Sequence, residues 1–277
     1  MFRFIFFMLS WLLIHPSYAE DDVQKNVNDA YFFAELATAN IIFHELGHYV
    51  IRNYNVQKFT FEEDLADSFV VYNLLVRPSQ FKSSEDYEIS SKDRHRVLMA
   101  GADIYYYRNL LEIDNTEEVY NHSTDKKRFF NYVCLMKDGN LEFFNSYIEK
   151  RQLENFLNNK CKSRYSNLIQ SWNHYIDQNE AWGRNDQDYF TVNFNDTTNK
   201  NHQVIINYLD RENGWIEWAM RNFMVKSKDK ITVNFEDCDG VKNAFYIQET
   251  KTIKVCYELF LSLKDLRMNI LKLKHSL

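Results

Sequence analysis

Apolar residues recur every three or four positions through most of this chain and switch to strict alternation only towards its end. Residues 29–52 contain no proline and are rich in Ala, Leu, Ile and Phe, which predicts a helix. Ala37, Ile41, His44, His48 and Ile51 fall on one apolar stripe of it. A second helix is expected over 60–75, with Leu65, Phe69 and Tyr72 on one side and Glu63, Ala66, Asp67, Val70 and Leu74 on the other. Helical spacing returns over 93–112, 126–160 and 165–176. Residues 189–194 and 231–235 alternate as strands do. Residues 243–255 read as two short strands about a turn at 248–251, and 257–273 is helical again. The polar stretch 193–202 is a loop or a weak junction within one domain over 20–277. These elements predict an α+β fold, mainly helical, with a small C-terminal antiparallel sheet.

Composition supports that picture. Six Gly and two Pro leave little linker, while 22 Phe and 18 Tyr are enough for a substantial core. The net charge of -6 and the lack of a basic cluster argue against a nucleic-acid partner.

Residues 2–14 are strongly apolar, Arg3 is the only early positive charge, and Ser17-Tyr18-Ala19 offers a small-x-small cleavage site before Glu20. This predicts a signal peptide over 1–19 and an exported protein, periplasmic or secreted. An uncleaved anchor is the alternative, but the apolar run is short for a span of about 20 residues. No membrane span is expected after signal removal. For an exported chain, Cys134, Cys161, Cys238 and Cys256 suggest two disulfides, and four cysteines allow three pairings. The local pairing, Cys134–Cys161 with Cys238–Cys256, fits the layout best. The oligomeric state is not legible.

The chemistry concentrates at His44-Glu45-Leu46-Gly47-His48. Residues four apart share a helix face, so His44 and His48 can present two imidazoles to one zinc ion, with Glu45 placed as general base. Gly47 costs about 1 kcal/mol in a helix relative to Ala, which suggests that another element packs closely there. Glu63 and Asp67 lie four apart on an otherwise apolar face, where acids are costly unless paired or metal-bound. Glu63 is the expected third ligand, with Glu62 as its substitute. Asp67 is the expected carboxylate orienting a ligand histidine. Thr60 and Glu63 also match a capping box, which would turn Glu63 back onto the backbone.

Together these residues resemble a bacterial metallopeptidase family still named as a domain of unknown function, itself similar to the glutamate-ligand zincins (gluzincins). The matching blocks are 43–48 and 62–67, then His122-Ser123 with 128–131 and Cys134, then Cys161 with Tyr165 and Trp172. The last is Cys238 with 243–246 and Cys256-Tyr257-Glu258. Two positions depart from the pattern: Lys162 where Pro is expected, and Asn121 where an acid is more usual. The resemblance implies a zincin-like domain with an active-site helix pair and one zinc held by His44, His48 and Glu63. It also implies Glu45 as base and supports the two local disulfides. His122 and Tyr257 are the candidates for stabilising the developing oxyanion.

The expected function is therefore an exported zinc-dependent hydrolase acting on a peptide or protein substrate. A zinc-stabilised envelope binding or inhibitory protein without turnover is the alternative, and a hydrolase of non-peptide amides is a third reading. One strand between 189 and 256 is expected to border the zinc cleft, since too little chain precedes the first helix to build a sheet.

Overall fold

A computed structural model describes residues 15–57, 60–76, 91–111, 113, 123–138, 142–154, 157, 161, 164–178, 189–211, 214–223 and 225–275. The apolar part of the expected signal peptide and His122 lie outside the described residues.

Helix α1, His15–Asn53, is the axis of the molecule. Beyond Ala30 its side chains are buried or half-buried on every face as far as Ile51, so it is a central helix rather than the one-sided amphipathic helix the stripe suggested. Small side chains make this possible: Ala30, Ala34, Ala37 and Ala39 let neighbouring elements approach its backbone. Helix α2, Glu62–Val71, continues into a π-helical turn, Tyr72–Val76, and packs along α1. Helix α3, Ser91–Leu110, packs on α1, and α4, Asp125–Asp138, covers α2 and α3. Within the stretch expected to be helical over 126–160, the described helices are α4, ending at Asp138, and α5, Glu142–Lys150. Helix α6, Arg164–Gln178, closes this half against α4.

The second half holds a four-stranded sheet. Strand β1 is Phe190–Phe194, β2 Ile231–Glu236, β3 Ala244–Ile247 and β4 Thr252–Cys256, in the order β1-β2-β4-β3. The sheet is mixed. β1 pairs parallel with β2 and β2 with β4, and only the β3–β4 hairpin is antiparallel as expected. β2 and β4 run parallel because the intervening β3 takes the outer place beside β4; for β1 and β2 the cause is a pair of helices that strand patterning did not reveal, α7 (Lys200–Leu209) and α8 (Trp215–Arg221). They carry the chain back between β1 and β2, as a parallel pair requires. Ile231, Val233 and Phe235 of β2 are fully buried. Helix α9, Tyr257–His275, returns along α1.

The disulfides are Cys134–Cys161 and Cys238–Cys256. The fold is thus α+β and mainly helical, with two local disulfides. No helix among the described residues is long and apolar enough to cross a membrane.

Candidate metal centre

Buried polar groups on α1 need partners. Glu35 takes the Arg211 guanidinium and the backbone N–H of Trp215. Asn40 donates to the Val97 carbonyl at 3.1 Å and accepts from the Tyr132 hydroxyl at 3.0 Å. One turn further on, His44, Glu45 and His48 face a cleft of about 1030 Å³.

Helix α2 meets this face because Gly47 lets it approach. A Cβ on Gly47 would stand 3.1 Å from the Ala66 backbone. At the start of α2, the capping-box alternative is not formed: Phe61 is the N-cap residue, and Thr60 donates to Asp64 at 3.4 Å. Glu63 turns instead to the histidines. Its carboxylate oxygens lie 3.0 Å from His44 Nε2 and 3.4 Å from His48 Nε2, and the two Nε2 atoms are 3.2 Å apart. Three ligands at about 2.0–2.1 Å from a tetrahedral zinc would be about 3.3 Å from one another. The triangle has that size.

The outer nitrogens fix the imidazoles. His44 Nδ1 donates to Asp67 at 2.8 Å and His48 Nδ1 donates to Glu62 at 2.9 Å, since ionised carboxylates only accept. With both Nδ1 atoms protonated, the Nε2 lone pairs and Glu63 converge as acceptors, an arrangement that suits a metal cation or, without one, a shared proton. Glu62 also accepts from Arg52 Nε at 2.9 Å. Asp67 is gripped by Arg128, whose Nε and Nη2 each donate at 2.7 Å, and the guanidinium lies 4.3 Å from the Tyr105 ring centroid.

Charge follows from this geometry. Burial opposes ionisation of Asp67, but the Arg128 charge and the His44 bond outweigh it and hold the carboxyl down at about 2. Burial alone would lower His44. The Asp67 and Glu63 bonds reverse that and raise it to about 10, so without a metal the site retains a proton. Glu63 is held well below the ordinary carboxylate range, its burial overcome by bonds to both imidazoles. Glu45 is different. Burial raises it, offset in part by the two histidines, and it receives the backbone N–H of Tyr246.

That last bond brings the sheet to the cleft. Strand β3 is an edge strand packed against α1, as the expected bordering strand required. The Asn243 carbonyl accepts from the Cys256 N–H and so faces β4. Backbone groups alternate along a strand, so those of Ala244 and Tyr246 face away from β4. Tyr246 N–H serves Glu45, while Ala244 and Phe245 line the cleft.

Of the predicted site residues, the structure brings together His44, Glu45, His48, Glu63 and Asp67. It does not bring Tyr257. That side chain is fully buried, its hydroxyl donates to the Asn195 carbonyl at 2.8 Å, and it lies against His202 and Phe235 rather than lining the cleft. The expected oxyanion role for Tyr257 is corrected accordingly. Two residues gain roles the sequence reading had not given them: Glu62 supports His48, and Arg128 anchors Asp67. The signal for Arg128 was an arginine beside the buried Phe129, Tyr132 and Val133, where a half-buried guanidinium calls for an acid.

A family model described as "Putative metallopeptidase" matches residues 14–176, more than half of the chain. The chain belongs to this family. The match includes α1, α2 and every residue of the His–Glu cluster, and ends before the sheet. No curated protein and no solved structure matches the chain. Family membership implies a metal, and His44, His48 and Glu63 form a group able to hold one.

Proposed function

We propose that this protein is an exported zinc-dependent peptidase with Glu45 as its general base. The observation that carries the reading is the convergence of His44 Nε2, His48 Nε2 and Glu63 at 3.0–3.4 Å, with both outer imidazole nitrogens on carboxylates. Zinc held there would supply a Lewis acid that acidifies water and polarises a carbonyl. Glu45 stands beside the cluster, where burial raises its affinity for a proton, suiting its carboxylate to accept a proton from attacking water and pass it to the leaving amine. Asp67 and Glu62 orient the two imidazoles, and Arg128 keeps Asp67 aimed and anionic. The backbone of Ala244, which faces away from β4 on a residue lining the cleft, suits an extended substrate added to the sheet edge. Export rests on the apolar residues 2–14 with the small-x-small pattern ending at Ala19, and agrees with two disulfides.

The test is zinc content and hydrolysis of an unfolded protein substrate, wild type beside Glu45→Gln. One zinc in each chain with activity only in wild type supports the reading. Zinc in both and hydrolysis in neither favours a metal-stabilised binding protein, and activity in Glu45→Gln removes Glu45 as base.

A further inference from the structure

Glu45 is held from across the cleft. One wall carries the His–Glu cluster and the charged groups of α1, α2 and α4, and the other is largely supplied by β3 and α9, which lie outside the family match. The backbone N–H of Tyr246 crosses between them to the Glu45 carboxylate. A carboxylate has two oxygens, so the strand can fix one while the other accepts a proton. Because the donor is backbone, its place is the place of β3. That strand is the outermost of the sheet, with β4 on one side only, so its other side is set by its packing on α1.

The Tyr246 side chain makes that packing specific. Glu45, Tyr49 and Asn53 are spaced four apart and form one stripe of α1, and Tyr246 touches all three. The fully buried Tyr49 meets its ring edge-on, with centroids 5.9 Å apart and planes at 88°. Asn53 Nδ2 donates to its hydroxyl at 3.0 Å. Asn53 is itself pinned: Nδ2 also donates to the Tyr49 carbonyl at 2.8 Å, and Oδ1 accepts from Lys251 Nζ, in the β3–β4 turn, at 2.7 Å. The Arg52 guanidinium lies 5.8 Å from the Tyr246 ring centroid, and its Nε donates to Glu62. Apolar packing alone is non-directional, whereas the hydroxyl bond to Asn53 fixes a register.

We propose that Tyr246 is a positioning residue: its side chain, tied to Asn53 and packed on Tyr49, sets β3 along α1 so that its own N–H holds Glu45 in place to act. This rests on the peptidase reading above and names the residue that aims its base. A shift of the strand by about 1 Å is enough to take a base out of line with the water it must deprotonate. The three metal-binding candidates lie on α1 and α2, so they stay in place when the tie is cut.

The experiment cuts the tie from each end in the zinc-loaded protein. Tyr246→Phe keeps the ring between Tyr49 and Arg52 and removes only the hydroxyl. On an unfolded protein substrate its kcat should fall roughly tenfold, with KM and zinc affinity within about twofold of wild type. Asn53→Ala should give the same fall, and the double variant should be no slower than the slower single one, because both remove one shared bond. Independently of turnover, hydrogen exchange at the amide of residue 246 should become roughly tenfold faster in either variant. Tyr246→Phe carries the test even if Asn53→Ala does not fold. Wild-type kcat in folded Tyr246→Phe, additive losses in the double variant, unchanged exchange at residue 246, or a loss of zinc affinity that parallels the loss of kcat overturns the positioning role and leaves the peptidase intact. No hydrolysis by zinc-loaded wild type removes the peptidase reading, and the role of Tyr246 with it.

Discussion

Gly47 and Ala66 set the spacing between the two helices that carry the metal-binding residues. With no side chain at Gly47, the Ala66 Cα and carbonyl oxygen come to 3.1 Å from where a Cβ would stand. Gly47→Ala should gain about 1 kcal/mol in helix propensity and lose about 1–3 kcal/mol to overpacking, since the obstructing atoms are backbone. We expect a net loss of stability and, because α2 must move outward with Glu63, a roughly tenfold fall in zinc affinity. Thermal melts and zinc competition read the two effects. A variant as stable as wild type with unchanged affinity would show that the contact does not govern the site.

Arg128 is the third link in a chain from the candidate ligand His44 through Asp67. Arg128→Lys keeps the charge but cannot hold both oxygens of Asp67 as a planar fork does. The expected outcome is folded protein with zinc affinity reduced roughly tenfold. Arg128→Ala should cost about 3–5 kcal/mol, because Asp67 is then buried without its cation. Zinc affinity in the Lys variant equal to wild type would reduce Arg128 to a purely structural ion pair.

Glu62→Ala removes the acceptor for His48 Nδ1 and frees Arg52. Zinc affinity should fall by about 10- to 100-fold while the apo protein melts near the wild-type temperature, as Glu62 is a partly exposed group at a helix start. A complete loss of metal, matching Glu63→Ala, would mean that Glu62 rather than Glu63 is the ligand.

Asp237 is held below the ordinary carboxylate value by the Thr197 hydroxyl and then by His202. A depressed carboxyl stabilises the fold above its unfolded value of about 3.9, and that contribution is lost as pH falls through the folded value. Wild type should therefore melt higher than Asp237→Asn near pH 6, with the gap closing below about pH 4. A gap that widens in acid would reverse the assignment.

The His–Glu cluster was legible because its geometry is local. His44 and His48 lie one turn apart on α1, and Glu63 and Asp67 one turn apart on α2, so one turn of each of two helices determines which atoms can meet. Gly47 announced the close approach for the same reason. The disulfides were legible because each closes a short loop. Arg128 reaches Asp67 across 61 residues, and Tyr257 reaches Asn195 across 62, contacts that no local pattern encodes. The parallel strand pairs escaped in a related way. Alternation in 189–194 and 231–235 shows which side chains are buried but not which way the neighbouring strand runs, and α7 with α8 decides that.

The walls of the cleft come from opposite ends of the chain, and neither disulfide crosses between them: Cys134–Cys161 belongs to one and Cys238–Cys256 to the other. Their alignment is therefore left to non-covalent packing around α1. The molecule thus has a seam along its cleft, and the Tyr246 N–H bond to Glu45 spans it, so a change in the packing of the C-terminal side is felt at the His–Glu cluster.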